Sequence, residues 1–255
     1  MVQALITGAT SGIGEALVPL LAEKGYDLIL TGRNLTKLQQ LAASLKNKTQ
    51  ILSLDLSDKK ARSELISLLH AQAPKLIINS AGSGLYGDSL SLSTAEQLDM
   101  IALNIDALVE ISLEGAKALI AHKKKGTILN VSSAASYFAY PLFNTYSASK
   151  GFVRQFSCAL DAELREKGVR VLVSCPGQVD TQFRARSSKG ISKGKSHLSM
   201  PTTFAAAEIW KQIETGKGVH IFDWRTRLLV FISRLVPRPF LEKYLKASMK
   251  DRIKD

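Results

Sequence analysis

The sequence predicts an α/β protein in which one doubly wound parallel sheet is flanked by helices. Short apolar runs alternate along the chain with longer amphipathic stretches, which is the order of repeated βα units. Several short runs, such as residues 169–173, are apolar with little alternation, as is typical of strands covered by helices on both faces. With 255 residues and 45% hydrophobic residues, the chain can bury the core of one such domain.

The predicted elements follow one another along residues 1–224, which form the predicted sheet domain. Strands are expected near residues 2–6, 27–31, 49–54, 75–79, 126–131, 169–175 and 218–222. Helices are expected near residues 13–24, 34–46, 58–71, 93–121, 144–167 and 202–215. The sequence contains neither an internal repeat nor a second domain within this order.

A glycine-rich turn joins the first strand to the first helix. The apolar run 2–6 leads directly into residues 7–14, Thr-Gly-Ala-Thr-Ser-Gly-Ile-Gly, and an amphipathic stretch follows. This order opens a dinucleotide-binding unit, because Gly8 permits a tight turn and Gly12 lets a pyrophosphate approach the positive end of the helix. The spacing of Gly8, Gly12 and Gly14 differs from G-x-G-x-x-G, so a sharp connection without a ligand is the alternative.

The end of the second strand indicates the type of dinucleotide. NAD-selective sites usually place a carboxylate there, on the ribose 2′-hydroxyl. Residues 30–34 read Leu-Thr-Gly-Arg-Asn and contain no acidic residue. Arg33 can instead form a charge-assisted contact with the 2′-phosphate of NADP; an exposed arginine near a helix start is the alternative. The sequence therefore predicts NADP(H) as the cofactor.

A tyrosine and a lysine share one face of a later predicted helix. Tyr146 and Lys150 are four residues apart, so their side chains lie on the same side. The ammonium is expected to lower the pKa of the phenol from its ordinary value of about 10, which suits it to proton transfer with a substrate oxygen. Ser133, at the end of an upstream apolar run, is placed to hydrogen-bond the same oxygen.

These motifs, in this order from residue 2 to about residue 222, resemble those of the short-chain dehydrogenase/reductase family in a form of this chain's length. The resemblance implies a Rossmann-type fold and an NADP(H)-dependent oxidoreductase that interconverts a carbonyl and an alcohol by hydride transfer. Asp55 and Leu56 match the family's adenine contact, and Asn104 matches an asparagine that holds a water of the proton relay. Ser80 departs from a second family asparagine, and Ser136 departs from a usual glycine.

The predicted site residues follow from the motifs and the resemblance together. The catalytic residues are Asn104, Ser133, Tyr146 and Lys150. The cofactor-binding residues are Gly8, Thr10, Ser11, Gly12, Ile13, Gly14, Arg33, Asp55, Leu56, Asn79, Ala81, Gly82, Tyr146, Lys150, Pro176, Gly177, Val179 and Thr181. No metal site is expected, because the four His and two Cys residues are scattered.

The predicted substrate is a small carbonyl or alcohol molecule, with reduction of an apolar ketone or aldehyde favoured. Residues 182–200 lose apolar periodicity and match the family's flexible substrate lid, although a solvated loop is also consistent. Two other functions stay open: a non-catalytic NADP-binding regulatory subunit, and a lipid-handling protein at a membrane surface. A group of apolar and aromatic side chains is expected either to line the substrate pocket or to lie in the core or a subunit contact. Its members are Leu85, Tyr86, Tyr137, Phe138, Tyr140 and Phe143.

Positive charge is concentrated near the C-terminus. The net charge is +12, with 16 Lys/Arg against 6 Asp/Glu in residues 184–255. No nucleic-acid motif accompanies it, so no nucleic-acid partner is expected. Residues 225–255 form a predicted basic helical appendix that docks on its own subunit, closes the pocket, joins two subunits or contacts a membrane peripherally. Its apolar stripe contains Leu228, Phe231, Ile232 and Leu235, and its basic residues include Arg225, Arg227, Arg234, Arg238, Lys243 and Lys246.

The expected location is the cytoplasm, with a membrane-peripheral position as an option. The N-terminus runs straight into the first strand, so no signal peptide is expected. Cys158 and Cys175 are predicted to pack in the core. The resemblance implies a homodimer or homotetramer. Candidates for the outer face of the helix at the subunit contact, with the core as the alternative, are Phe152, Phe156 and Leu160.

Overall fold

The computed structural model describes residues 2–190, 199–233 and 235–254, with side chains described as far as Lys250. Within the predicted lid, residues 191–198 lie outside the described residues. Arg234 of the predicted appendix also lies outside them.

Seven parallel strands form one sheet in the order β3-β2-β1-β4-β5-β6-β7. The strand order reverses between β1 and β4, which is the topological switch point of a doubly wound sheet. The predicted fold is therefore confirmed. The strands are β1 Val2–Thr7, β2 Tyr26–Gly32, β3 Thr49–Ser53, β4 Leu76–Asn79, β5 Gly126–Val131, β6 Val169–Ser174 and β7 Val219–His220.

Helices cover both faces of the sheet and continue beyond its last strand. They are α1 Gly12–Glu23, α2 Leu35–Ala43, α3 Lys59–Gln72, α4 Thr94–Ile101, α5 Ala107–Ala121, α6 Asn144–Leu164, α7 Phe183–Ser187, α8 Thr202–Thr215, α9 Trp224–Ile232 and α10 Arg238–Lys254. A π-helical turn, Ala102–Asp106, joins α4 to α5, and a 3₁₀ turn, Ala134–Tyr137, follows β5.

Three predicted boundaries are wrong. The helix expected over 93–121 is divided by the π-helical turn, whose wider hydrogen-bond ring often marks a functional position. The strand expected over 218–222 has only two residues, because it pairs with β6 alone at the sheet edge. Within the segment expected to be irregular, residues 183–187 form the short helix α7.

Alternate residues along the strands feed two apolar cores, one on each face of the sheet. Leu17 of α1 and Ile209 of α8 belong to one core, and Leu65 of α3 and Ile111 of α5 belong to the other. Leu160 belongs to the second core and is 5% exposed, so of its two expected places, an outer face or the core, the structure shows the core.

The two cysteines lie in different environments. Cys175 is fully buried at the end of β6, which confirms its predicted place in the core. Cys158 is exposed on α6, so the same prediction was wrong for this residue. An α-helix has 3.6 residues per turn, so adjacent side chains point in different directions. Ser157 of α6 therefore faces the core, while its neighbour Cys158 points outward.

The two C-terminal helices pack back onto the sheet domain through a few side chains. Val230 of α9 and Leu245 and Met249 of α10 are buried. A Cβ placed on Gly177 would lie 2.8 Å from Thr226 Oγ1, so α9 sits directly against the segment after β6. Among the described residues, no helix has the length and apolar character needed to cross a membrane.

Candidate active site

A cleft of about 580 Å³ opens at the carboxyl ends of β1, β2 and β4, beside the switch point. The turns after these strands supply most of its walls, because parallel strands end at the same edge of the sheet. The cleft is lined by Gly8, Thr10, Ser11, Gly32, Arg33, Asn34, Leu35, Leu54, Asp55, Leu56, Ser80, Ala81, Gly82, Leu103 and Arg186. Many of the predicted cofactor residues are thus brought together.

The glycine-rich turn is pressed tightly against the turn after β4. Gly8 has φ 68°, and a Cβ there would lie 2.9 Å from the Ala81 backbone. A Cβ on Gly14 would overlap the Gly8 carbonyl oxygen. The Thr7 hydroxyl accepts hydrogen bonds from the Ser80 and Ala81 N–H groups, each at 3.1 Å. Only glycine fits these positions without displacing the backbone.

The first turn of α1 presents backbone N–H groups at the cleft. Ser11 precedes the helix in an extended conformation, and in the described part of the chain its side chain makes no capping hydrogen bond. A Cβ on Gly12 would lie 3.1 Å from the Thr181 methyl group. Glycine therefore keeps the narrow space between this turn and Thr181 free of a side chain at position 12. Uncapped N–H groups at a helix start suit a phosphate. A dinucleotide therefore fits this turn.

Arg33 extends from the end of β2 into the cleft. Its side chain is 72% exposed, and its Nη1 lies 3.7 Å from Asp55 Oδ2. Burial alone would raise the pKa of Asp55, but hydrogen bonds from Ser57 and the charge of Arg33 hold it below its ordinary value. The ion pair is long and exposed, so it holds the guanidinium only weakly. Arg33 is available to an anion in the cleft.

Seven of the cleft residues were absent from the predicted cofactor residues, and two of them, Leu103 and Arg186, come from elements outside the strand-end turns. Arg186 lines the cleft from α7, and its Nη2 donates to Gln182 Oε1 at 3.1 Å. Leu103 reaches the cleft from the π-helical turn. The only signal for Arg186 in the sequence was the density of basic residues around it. That density does not show which way any one side chain points.

Tyr146 and Ser133 meet in a buried part of the fold beside this cleft, where Tyr146 belongs to an apolar cluster. The tyrosine is 7% exposed, and the Phe143 ring stacks on it with centroids 4.2 Å apart. Burial raises the pKa of Tyr146 above its ordinary value, a hydrogen bond with Ser133 opposes this rise, and Tyr86 adds to it. The expected lowering of this pKa by Lys150 is wrong for this structure, because desolvation of the buried phenol is the largest effect on it.

Lys150 lies on the same face of α6 as Tyr146, as predicted. Its Nζ donates to the Val131 carbonyl oxygen at 2.9 Å and lies 5.8 Å from the centre of the Tyr146 ring. Burial lowers the pKa of Lys150 to about 8, since desolvation penalises its charged form. The lysine therefore carries a costly buried charge at neutral pH.

Asn104 faces Lys150 across Gly82. Its Nδ2 donates to the Ser83 carbonyl at 2.9 Å, and its Oδ1 accepts from the Ser83 N–H at 3.0 Å. A Cβ on Gly82 would lie 3.2 Å from Asn104 Oδ1 and 3.3 Å from Lys150 Nζ. The missing side chain thus leaves a small polar space that both groups border.

Asn79 is the clearest case of a predicted cofactor residue whose side chain points elsewhere. Its Nδ2 donates to Asn130 Oδ1 at 2.8 Å and to the Ser112 hydroxyl at 3.2 Å. Its side chain therefore ties β4 to β5 inside the fold, and only its backbone is directed toward the strand end. This amide crosslinks the strands although Ser80 replaces the second asparagine.

The remaining predicted cofactor residues border the segment after β6. The Pro176 carbonyl accepts from the Ala134 N–H at 2.8 Å, which holds the Ser133 turn against this segment. Val179 pairs with Met200 in an isolated bridge. The Thr181 hydroxyl accepts from the Phe183 N–H at 3.1 Å, at the start of α7. Ile13 packs against the first core and does not line the cleft.

Sulfur and aromatic side chains pack around Tyr146 in one apolar cluster. Met249 of α10 is fully buried there, with Met100 and Phe143. Leu85, Tyr86 and Tyr140 pack against them, and so does Phe183 of α7. Four of the six predicted pocket residues thus lie at Tyr146. Tyr137 instead joins a separate cluster and stacks under Arg154, because the 3₁₀ turn rotates it away.

Comparisons with known proteins agree with this arrangement. A family model described as short chain dehydrogenase matches residues 3–192. Sulfoacetaldehyde reductase 2 of Chromohalobacter salexigens is 35% identical over 80% of this chain and 83% of its own length. Serine 3-dehydrogenase of Agrobacterium fabrum is 32% identical over 76% and 78%. A short-chain dehydrogenase from Sphingobium yanoikuyae, solved in complex with NADPH, superposes with TM-score 0.84 at 25% identity over 92% and 93%.

The parallel sheet, the glycine-rich turn and the paired tyrosine and lysine thus coincide with a match over most of the chain. The protein belongs to the short-chain dehydrogenase family and is an oxidoreductase. This identification argues against the alternative of a non-catalytic regulatory subunit.

Proposed function

We propose that the protein is an NADP(H)-dependent reductase of apolar ketones or aldehydes. The observation that carries the proposal is the grouping of Ser133 and Lys150 around Tyr146, in an apolar cluster next to Gly82 of the dinucleotide cleft. A bound nicotinamide cofactor would supply a hydride to the carbonyl carbon or, in the reverse direction, accept one from the alcohol carbon. Side chains of the protein then donate the proton and stabilise the charge that develops on the oxygen.

Tyr146 is the proposed acid. Burial raises its pKa, so the phenol is protonated at neutral pH, which is the form that reduction requires. Its proton passes to the carbonyl oxygen as that oxygen becomes an alcohol. Ser133, already hydrogen-bonded to Tyr146, orients and polarises the same oxygen.

Lys150 and Asn104 support this proton transfer. The Lys150 ammonium favours the negative charge left on Tyr146 and is placed to hold the nicotinamide ribose. Asn104 borders the space at Gly82 with Lys150, where a water would link the lysine to solvent. The backbone turns at Gly8–Gly14 and Ser80–Gly82 would hold the cofactor phosphates and the nicotinamide half.

The preference for NADP rests on Arg33. We expect Arg33→Ala to weaken NADPH binding about 10- to 150-fold, the equivalent of roughly 1.5–3 kcal/mol for a hydrogen bond to a charged group. NADH affinity should hardly change, because NADH lacks the 2′-phosphate. Titration calorimetry with both cofactors measures the difference.

A second variant separates this contact from a general loss of positive charge. Lys37 lies on α2 and is held by Glu15 at 2.7 Å, so Lys37→Ala removes a nearby charge outside the cleft. It should leave the preference for NADPH unchanged. Equal losses of NADPH and NADH affinity in Arg33→Ala would mean that Arg33 does not recognise the 2′-phosphate.

Residues 225–255 are proposed to serve as an appendix whose inner side closes the substrate pocket. Met249 is the contact with that pocket, so Met249→Ala should enlarge it. We expect kcat/KM for a bulky aryl ketone, relative to a short aldehyde, to rise about tenfold or more, the scale for a cavity change of a few methylenes. Steady-state assays with both substrates provide the ratio.

Leu245 offers the matched comparison for Met249. It is buried on the same helix at 2% exposure but lies outside the Tyr146 cluster. Leu245→Ala should lower the free energy of unfolding by about 2–5 kcal/mol. It should leave the ratio of kcat/KM for the two substrates unchanged. A ratio altered equally by both variants would show that helix mobility, rather than Met249, selects the substrate.

A homodimer or homotetramer is proposed on the basis of α6 and α5. Phe152 is 44% exposed and stacks on Phe156 with ring centroids 5.9 Å apart, and Leu113 of α5 is 36% exposed. Such faces pair in closed symmetric assemblies. We expect light scattering at micromolar concentration to give at least twice the chain mass of 27.8 kDa. Phe152→Glu should lower it, and a monomeric parent protein would contradict the proposal.

A further inference from the structure

The outer surface of α9 and α10 carries an unusual concentration of exposed apolar side chains. Within residues 224–244 the large exposed apolar residues are Trp224, Leu228, Leu229, Phe231, Ile232, Leu235, Phe240 and Tyr244. Trp224, Phe231 and Phe240 are 65%, 61% and 70% exposed. Eight large exposed apolar side chains on one short stretch of chain indicate an interaction site, whereas single exposed apolar residues do not.

These side chains are exposed although both helices are docked. Val230, Leu245 and Met249 point inward and are at most 5% exposed. Thr226 packs against Gly177, and Met249 reaches the Tyr146 cluster, which forms the proposed substrate pocket. The exposure therefore belongs to the folded protein, with one side of each helix buried and the other facing outward.

Basic residues surround this apolar surface. Its exposed cations are Arg225, Arg227, Arg238, Lys243, Lys246 and Lys250. Among the residues whose side chains are described, Asp223 pairs with Arg225 at 3.0 Å and Glu242 pairs with Arg238 at 2.7 Å. No carboxylate of the described residues pairs with the four remaining cations. The outer surface is therefore apolar and positively charged.

The charge decides which partner this surface fits. A second copy of the chain would bring the same cations against one another in a two-fold contact, which is unfavourable. An anionic lipid membrane supplies both an apolar phase for the aromatic residues and negative headgroups for the cations. We propose that the outer surface of α9 and α10 binds peripherally to anionic membranes. Docking in this way holds the Tyr146 pocket, which the inner side of the same helices covers, next to the lipid.

Flotation of the full-length protein with lipid vesicles tests the proposal. We expect flotation with phosphatidylcholine vesicles that contain phosphatidylserine, weaker flotation with phosphatidylcholine alone, and release by salt. Lys243→Glu combined with Lys246→Glu should lower the partition coefficient at least about tenfold. Phe231→Ser combined with Phe240→Ser should lower it by at least about tenfold through lost apolar burial.

A control variant and a mass measurement complete the test. Lys59→Glu combined with Lys60→Glu makes the same charge change at exposed positions of α3 and should float as the parent protein does. NADPH binding by every variant verifies the fold. Absence of flotation at low salt, or equal losses in the α3 control, would overturn the proposal. It would also be overturned if the tail variants reduced the mass in light scattering without changing flotation, because the surface would then join two copies.

Discussion

Tyr146→Phe should lower kcat at least about 100-fold, the usual scale for the loss of an acid or base group. The substitution keeps the ring that stacks on Phe143 but removes the phenolic proton that we propose passes to the substrate oxygen. Binding of NADPH should barely change, because the ring and its neighbours stay in place. Stopped-flow reduction of a ketone with saturating NADPH measures the effect on the chemical step.

Tyr140→Phe is the comparison for this prediction. Tyr140 packs in the same cluster, with its ring 6.2 Å from that of Phe143, and is given no role in proton transfer. Its loss of hydroxyl should change kcat by less than about tenfold. Near-normal kcat in Tyr146→Phe, or equal losses in both variants, would exclude Tyr146 as the acid.

The fold could be predicted because its signals are local. The apolar run of β1, the turn at Gly8–Gly14 and the charge at the end of β2 each lie within a few residues of sequence. Gly8 and Gly14 are required by contacts that any such turn makes, so their spacing carried the information. The match to the family over residues 3–192 follows from the same motifs.

The substrate side of the site could not be predicted in this way. Met249 is about a hundred residues from Tyr146 in sequence, and only the docking of α10 brings them together. Arg186 lies in a segment whose composition indicates a loop, yet α7 directs it into the cleft. The pKa of Tyr146 depends on Phe143, Tyr86 and the other groups that exclude water, and an i, i+4 spacing reveals none of them.

Lys150→Met should separate activity from stability, because the buried ammonium costs folding free energy and has a proposed role in catalysis. We expect kcat/KM to fall about 100- to 1,000-fold, the scale for removing one group that stabilises developing charge. We also expect the free energy of unfolding at pH 7 to rise. Burial holds the pKa of Lys150 at about 8 instead of 10.5, a difference worth about 3 kcal/mol at about 1.4 kcal/mol per pKa unit. Loss of the hydrogen bond to the Val131 carbonyl offsets part of the relieved desolvation penalty. The free energy of unfolding should therefore rise by roughly 1–3 kcal/mol.

The pH dependence identifies the source of that gain. Below pH 8 the lysine is charged in both the folded and unfolded states, so the parent protein bears the full desolvation penalty. Between pH 8 and 10.5 the folded state has lost the proton and the unfolded state has not, so the penalty fades as pH rises. The stability advantage of Lys150→Met in urea unfolding should therefore be larger at pH 7 than at about pH 9.5. Lys125→Met, at an exposed position, should show no such change. An advantage independent of pH would mean that Lys150 does not carry a desolvated charge in the folded protein.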